Sequence, residues 1–161
     1  MRYNNQNVRR QDRLLEEERA VEILKTAEYG VLSMIDEAGF PYGIPLNYVW
    51  DGDSSVYIHC APEGRKLQSL QKNPQVSFCI IGRVNLCPSK FTTEYESVVL
   101  KGVAVLGLEV EERMKALELL LRKLSPDDMA VGMKYAEKSF HRTAIIRLDF
   151  SEFSGKRKYI K

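Results

Sequence analysis

The run His59-Cys60-Ala61-Pro62-Glu63-Gly64-Arg65-Lys66 is the most informative stretch of the chain. A strand pattern ends there, the backbone turns through Pro62 and Gly64, and a helix opens on two adjacent cations. Free N–H groups at a helix start, beside Arg65 and Lys66, make a cradle for a phosphate. A solvated basic helix start is the plainer alternative. Cys60 directly follows His59, yet neighbours on a strand point to opposite faces, which argues against a cysteine–histidine nucleophile pair.

Two further segments have chemical potential only in company. Ile44-Pro45-Leu46-Asn47-Tyr48 reads as a strand whose proline cannot donate to a ladder, so an edge or a bulge suits it. Backbone groups freed there, next to Asn47 and Tyr48, could meet a polar heteroaromatic ring. Phe91-Thr92-Thr93-Glu94-Tyr95-Glu96-Ser97 offers hydroxyls and aromatics on alternating faces. Motifs that would name a chemistry outright are missing: no GxGxxG, no GxxxxGK[ST], no GxSxG, no HExxH and no acidic calcium loop. No metal site is expected and no catalytic residue is assigned.

Strands and helices must place these segments. Leu14, Val21, Ile23 and Leu24 suggest an amphipathic helix ending near Gly30. Val31–Ile35, Gly43–Trp50 and Ser55–Cys60 then read as three strands, joined by the turn clusters 36–41 and 51–53. A short helix is expected from about Arg65 to the Asn73-Pro74 stop, then strands over 75–81 and 94–108. Gly102 is expected to mark a bulge or bend, and residues 82–93 to be irregular. Val110–Pro126 is the clearest helix, 130–142 a short one, and Thr143–Phe150 a last strand before a solvated basic tail. Cys79 reads as core and His141 as surface. The whole is α+β, mainly β: a six-stranded antiparallel split β-barrel with flanking helices. Residues 1–13 are expected as a flexible arm and 14–161 as one domain.

Composition bounds the function. The chain of 161 residues carries 24 Lys+Arg against 22 Asp+Glu, too balanced to announce a nucleic-acid or membrane-surface partner. Without a long apolar run or an apolar leader no membrane association is expected, and the three unpaired cysteines fit a reducing cytoplasm.

In order, the blocks GFPYGIPLNYVWD, VYIHCAPEGRKLQSLQKNPQVSFCI and KFTTEYESVVLKGVA resemble the pyridoxamine 5′-phosphate oxidase-like split-barrel flavoproteins, and within them the nitroimidazole-resistance group. The likeness runs from about Asp12 to Phe150. It implies an FMN-binding homodimer with the flavin in a groove between subunits. By analogy His59, Cys60, Ala61, Arg65 and Lys66 would hold the FMN phosphate. Pro45, Leu46, Asn47 and Tyr48 would run along the isoalloxazine, and Thr93 and Ser97 would come from the dimer interface. The implied activity is reduction of small, planar, electron-poor nitro- or quinone-like aromatics, with electrons from a nicotinamide donor, NAD(P)H. A flavin- or haem-binding module that senses or stores its ligand is the alternative.

Two departures stand out. The nitroimidazole-resistance pattern often has a histidine after the glycine where this chain has Arg65, and an arginine cannot shuttle a proton at neutral pH. The basic-aromatic C-terminal signature of true pyridoxamine phosphate oxidases is not visible in LDFSEFSGKRKYIK, so oxidation of that vitamer is not expected.

Overall fold

The three-residue step between Ala20, Ile23 and the adjacent Leu24 gives the first helix one apolar face, and the computed structural model, which describes residues 1–160, buries all three. That helix, α1 (Glu17–Thr26), stops before Gly30, which belongs to the next strand instead. The strands are β1 (Arg2–Tyr3), β2 (Tyr29–Ile35), β3 (Pro41–Asn47), β4 (Val49–Trp50), β5 (Ser55–Cys60), β6 (Gln75–Cys87), β7 (Thr92–Val105) and β8 (Ala144–Lys158). The other helices are α2 (Arg65–Lys72), α3 (Val110–Leu124) and α4 (Met129–Ser139).

The sheet runs β3-β2-β6-β7-β8-β5-β4. Every pair on that path is antiparallel, and only the two-residue β1, against β8, is parallel. Six strands of six residues or more carry the architecture, as the sequence pattern implies. Tyr48 alone separates β3 from β4, although these strands lie at opposite ends of the path. The sheet therefore curls until its ends meet, and no ladder joins β3 to β4 among the described residues: the barrel is split rather than closed.

The core row across the sheet is Ile44–Leu32–Phe78–Leu100–Phe153, read from cross-strand partners. Its last four members are fully or almost fully buried. Alternation then sends Cys79 to the opposite face, between Val31 and Val99. It is half-buried there rather than in the core that the apolar run around it suggested. Gly102 does mark a bulge, where β7 shifts register against β8. A Cβ at that position would stand 2.0 Å from the Asp149 carbonyl oxygen, so no other residue fits without moving β8.

Two strands are longer than their composition suggests. β6 continues through the expected irregular segment to Cys87, with its own register shift between Ile81 and Val84. β8 continues through the expected basic tail to Lys158, because Phe153 and Gly155 hold alternate positions against the core and the half-buried Lys156, Arg157 and Lys158 stay in register with Ser97, Glu96 and Tyr95 of β7. Lys161, the tail's last residue, lies outside the described residues. In the N-terminal arm, Tyr3 packs its ring against Phe153, at 4.9 Å between centroids, and its hydroxyl donates to the Leu15 carbonyl. Among the described residues no helix is long and apolar enough to cross a membrane.

Candidate functional site

The end of β5 leads through exposed Ala61 and Pro62 to Gly64, whose φ of +120° is a conformation L side chains rarely adopt. No atom lies within 4 Å of where its Cβ would be, so the turn is open to solvent. α2 begins on the next residue, and its first amides lack intrahelical partners as at any helix start.

The two cations behave differently. Arg65 donates through Nη2 to Asp36 Oδ2 at 2.7 Å and lays its guanidinium 4.1 Å from the centre of the Tyr42 ring. That ties the α2 start to the β2–β3 turn, as does Lys72, whose Nζ donates to the Glu37 carbonyl at 2.6 Å. The Arg65 hydrogen bond, with amides of Phe40 and Ala38 behind it, holds the Asp36 carboxyl below its ordinary range. Among the described residues Lys66 makes no comparable ion pair. It lies close enough to His59 and Cys60 to disfavour a proton on the first and favour a thiolate on the second. Burial outweighs it in both cases, pushing His59 down further and Cys60 up overall. An anion at this turn would meet one free ammonium, one guanidinium already braced by a carboxylate, and unpaired amides.

Away from the core, the sheet presents a second row: Pro45–Val31–Cys79–Val99–Ser154. Exposed Ile81 and half-buried Ser97 stand opposite one another one step along, and exposed Asn47 pairs with exposed Tyr29. This face is apolar at its centre and polar at its ends, and can cover or be covered by a flat apolar partner. Thr93 also lies on it, since it shares alternation with Ser97. Three strand spacings separate Pro45 from the β7 residues, or about 14 Å.

The structure thus sorts the sequence-derived residues into groups. Pro45 and Asn47 line the outer face, and Asn47 Nδ2 donates to the Glu28 carbonyl at 2.9 Å. Leu46 packs towards the core, and Tyr48 is wholly buried there, its hydroxyl donating to the Leu24 carbonyl at 2.8 Å. Cys60 packs against the core from β5, whereas His59 faces the other way, under α3 and α4. Ala61, Arg65 and Lys66 form the open turn. Within one chain, Thr93 and Ser97 do not meet that turn.

Three polar features escaped the sequence reading because each pairs distant residues. Glu96 is buried on β7 and accepts from Arg19, from the Tyr159 hydroxyl and from the Arg83 amide. Arg147 of β8 bridges Glu112 of α3 and Asp149. Lys123 of α3 points its Nζ at the face of the buried Tyr48 ring, 3.7 Å from the centroid. That nitrogen is buried without a hydrogen-bond partner, and burial pulls its pKa down to about 8. Among the described residues no three His, Cys, Asp or Glu side chains gather as a metal site would require.

A curled antiparallel sheet with a split barrel, flanking helices and an open cationic turn after its fifth strand defines the split-barrel class. Residues 16–157 match the family model described as Pyridoxamine 5'-phosphate oxidase, and the chain belongs to that family. Solved structures agree on the fold. A candidate 5-nitroimidazole antibiotic resistance protein from Bacteroides thetaiotaomicron superposes with a TM-score of 0.76 at 22% identity, over 90% of this chain and 86% of that one. A FAD-binding protein from Mesorhizobium loti gives 0.62 at 20% identity, over 92% and 97%. HutZ, the heme storage protein from Vibrio cholerae, gives 0.67 at 15% identity, over 89% and 95%. No curated protein matches the chain in sequence.

Proposed function

We propose that this chain is an FMN-binding oxidoreductase that works as a homodimer on small, planar, electron-poor aromatics of the nitro or quinone type. The observation that carries this reading is the open turn before α2, where Gly64 leaves space beside Lys66 and the braced Arg65. Its chemistry suits a phosphomonoester, which needs cations and amide donors. The outer face suits the rest of the cofactor: Pro45, Val31, Cys79 and Val99 offer a flat apolar bed, with Asn47 and Ser97 as polar groups near its margins. A bound flavin supplies hydride and one-electron chemistry.

The chain's own residues would do the positioning. Lys66 and Arg65 neutralise the phosphate, and Asp36 holds the Arg65 fork in one orientation. The apolar row excludes water from the ring system. A second copy closing over the outer face would bring its Thr93 and Ser97 to the groove, which a single chain leaves incomplete.

The test is a visible spectrum of the purified protein, followed by anaerobic NAD(P)H and then a nitroaromatic. Flavin bands that bleach with NAD(P)H and return with the nitroaromatic are expected. A Soret band would instead support the haem-binding module that the similarity to a heme storage protein suggests. A flavin that never bleaches would leave a storage or sensing role, and a protein that takes up no FMN would overturn the reading.

A further inference from the structure

His59, still exposed to solvent on one side, projects from β5 away from the barrel core into a half-open cleft of about 240 Å³ walled by α3 and α4. Apolar side chains of α3 make most of its wall: Leu117, Leu120, Leu121 and Leu124. α4 comes close because Gly132 sits mid-helix against Leu121, where a Cβ would stand 2.7 Å from a leucine methyl. This wall is fastened by Arg113, which donates through Nη2 to the carbonyls of Phe140 (3.0 Å) and Thr143 (2.7 Å) and stacks on the Phe140 ring.

Five polar side chains line this cleft, and two are engaged elsewhere; Ser125 and Tyr135 stand with His59 as the others. Ser139 donates its hydroxyl to the Tyr135 carbonyl, and Thr143 donates to the Ser139 carbonyl. His59 makes no hydrogen bond within the described chain. No Asp, Glu, Lys or Arg lines the space itself, so a charged guest would lose its water there without an ion-pair partner in contact. His59 itself is held towards its neutral form by burial and by Lys66, which leaves one ring nitrogen as donor and the other as acceptor. An enclosed apolar cavity of about 150 Å³ suffices to take up benzene, and this cleft is larger but open on one side. A space of 240 Å³ accommodates one ring with a small substituent.

We propose that the cleft between β5, α3 and α4 binds a small, neutral, single-ring aromatic molecule bearing one hydrogen-bonding group, with the His59 imidazole as the partner of that group. This site is separate from the phosphate turn and from the outer sheet face. It stands or falls independently of flavin binding.

The experiment uses the full chain as purified, with leucine methyl groups labelled for NMR. Phenol, benzene and benzoate are titrated in turn. Phenol is expected to shift the methyls of Leu117, Leu121 and Leu124 together with the His59 ring signals, and benzoate to leave them unmoved. His59→Phe keeps an aromatic ring there but removes the hydrogen bond, and phenol affinity should fall about tenfold, towards that of benzene. Leu124→Trp, at the partly exposed rim of the cleft, provides a second block and should abolish the shifts in a chain whose other methyl signals stay in place. Phenol shifts scattered over other surfaces would overturn the proposal. So would equal binding of benzoate, full phenol affinity in both variants, or no shift up to about 10 mM, a concentration well above the dissociation constant of a weak specific complex, about 1 mM.

Discussion

Glu96 of β7 and Arg19 of α1 form a two-toothed bridge, with Arg19 Nε 3.1 Å from Oε1 and Nη2 2.7 Å from Oε2. The carboxylate is nearly sealed from solvent while the guanidinium stays more than a third exposed. It also collects the Arg83 amide where β6 changes register and the Tyr159 hydroxyl beyond β8. One buried charge thus fastens α1, β6, β7 and the C-terminal residues together. The Arg19 hydrogen bonds lower its pKa from 4.5 to about 2.

Glu96→Gln should therefore lower unfolding stability at neutral pH by about 2–3 kcal/mol, the scale of hydrogen bonds to a charged group. The folded-state pKa lies below the unfolded one, so this contribution is complete above pH 4.5 and fades as pH falls towards about 2. Urea unfolding of both proteins across that window should show the gap closing with acid. A gap of constant size would mean that Glu96 acts by shape and not by charge.

Lys123 has the opposite sign. Its buried ammonium has only the Tyr48 ring for company, and the folded pKa of about 8 lies below the ordinary 10.5. The unfolded chain holds that proton more firmly, so the penalty is complete below pH 8 and is relieved between about 8 and 10.5. Lys123→Met should raise stability by about 1–3 kcal/mol at pH 7 and by progressively less towards pH 10.5. Thermal unfolding at three pH values is enough to check this.

At the turn before α2, Lys66→Ala should weaken FMN retention about tenfold without moving the melting temperature, because among the described residues Lys66 makes no ion pair that would be lost with its side chain. Arg65→Ala should do both, since it also releases Asp36 and Tyr42. The double variant should lose about a hundredfold or more, read by equilibrium dialysis. Unchanged retention in the double variant would remove the phosphate from this turn.

Arg65→His tests the departure from the nitroimidazole-resistance pattern. An imidazole there can exchange a proton near its unperturbed pKa of about 6.5, which the guanidinium cannot. Nitro-reduction at saturating FMN should rise and acquire a pH dependence between about 5 and 8. Superimposable profiles would confine residue 65 to phosphate binding and to bracing the Asp36 turn.

On the proposed reading, two copies of the chain join through the outer sheet face. Light scattering should give twice the 18.5 kDa chain mass. Val99→Glu puts a charge in the middle of the apolar row and should yield a monomer that has also lost its flavin. A flavin-loaded monomer of either protein would refute the shared groove.

What the sequence disclosed depended on how local the determinant was. α2 could be placed almost to the residue because its boundaries, Gly64 and Asn73-Pro74, lie beside it. The Gly102 bulge was legible for the same reason. The far half of β8 was not: Lys156, Arg157 and Lys158 look like a solvated tail until Phe153 and Gly155 are seen facing the core. Cys79 misled because its neighbours Phe78, Ile80 and Ile81 are apolar on both faces of the strand, so the run hides its own alternation. The cationic turn was visible as a string of residues, but the division of labour between Arg65 and Lys66 rests on Asp36, 29 positions away. The His59 cleft had one local clue, a glycine inside a helical pattern at 132, which signals close helix packing without naming its partner.

The single residue between β3 and β4 bears on how the chain assembles. β3 zips onto β2 through a short turn, an early and local event. β4 follows at once in sequence, yet its neighbour β5 joins the rest of the sheet only through β8, more than eighty residues later. A nascent chain emerging from a ribosome would hold a hairpin with a dangling half-sheet until its last strand is synthesised. Tyr48 would then be the fixed post against which the final closure seats. The order of amide protection during refolding should follow this, with the β2–β3 hairpin guarded early and β5 guarded last.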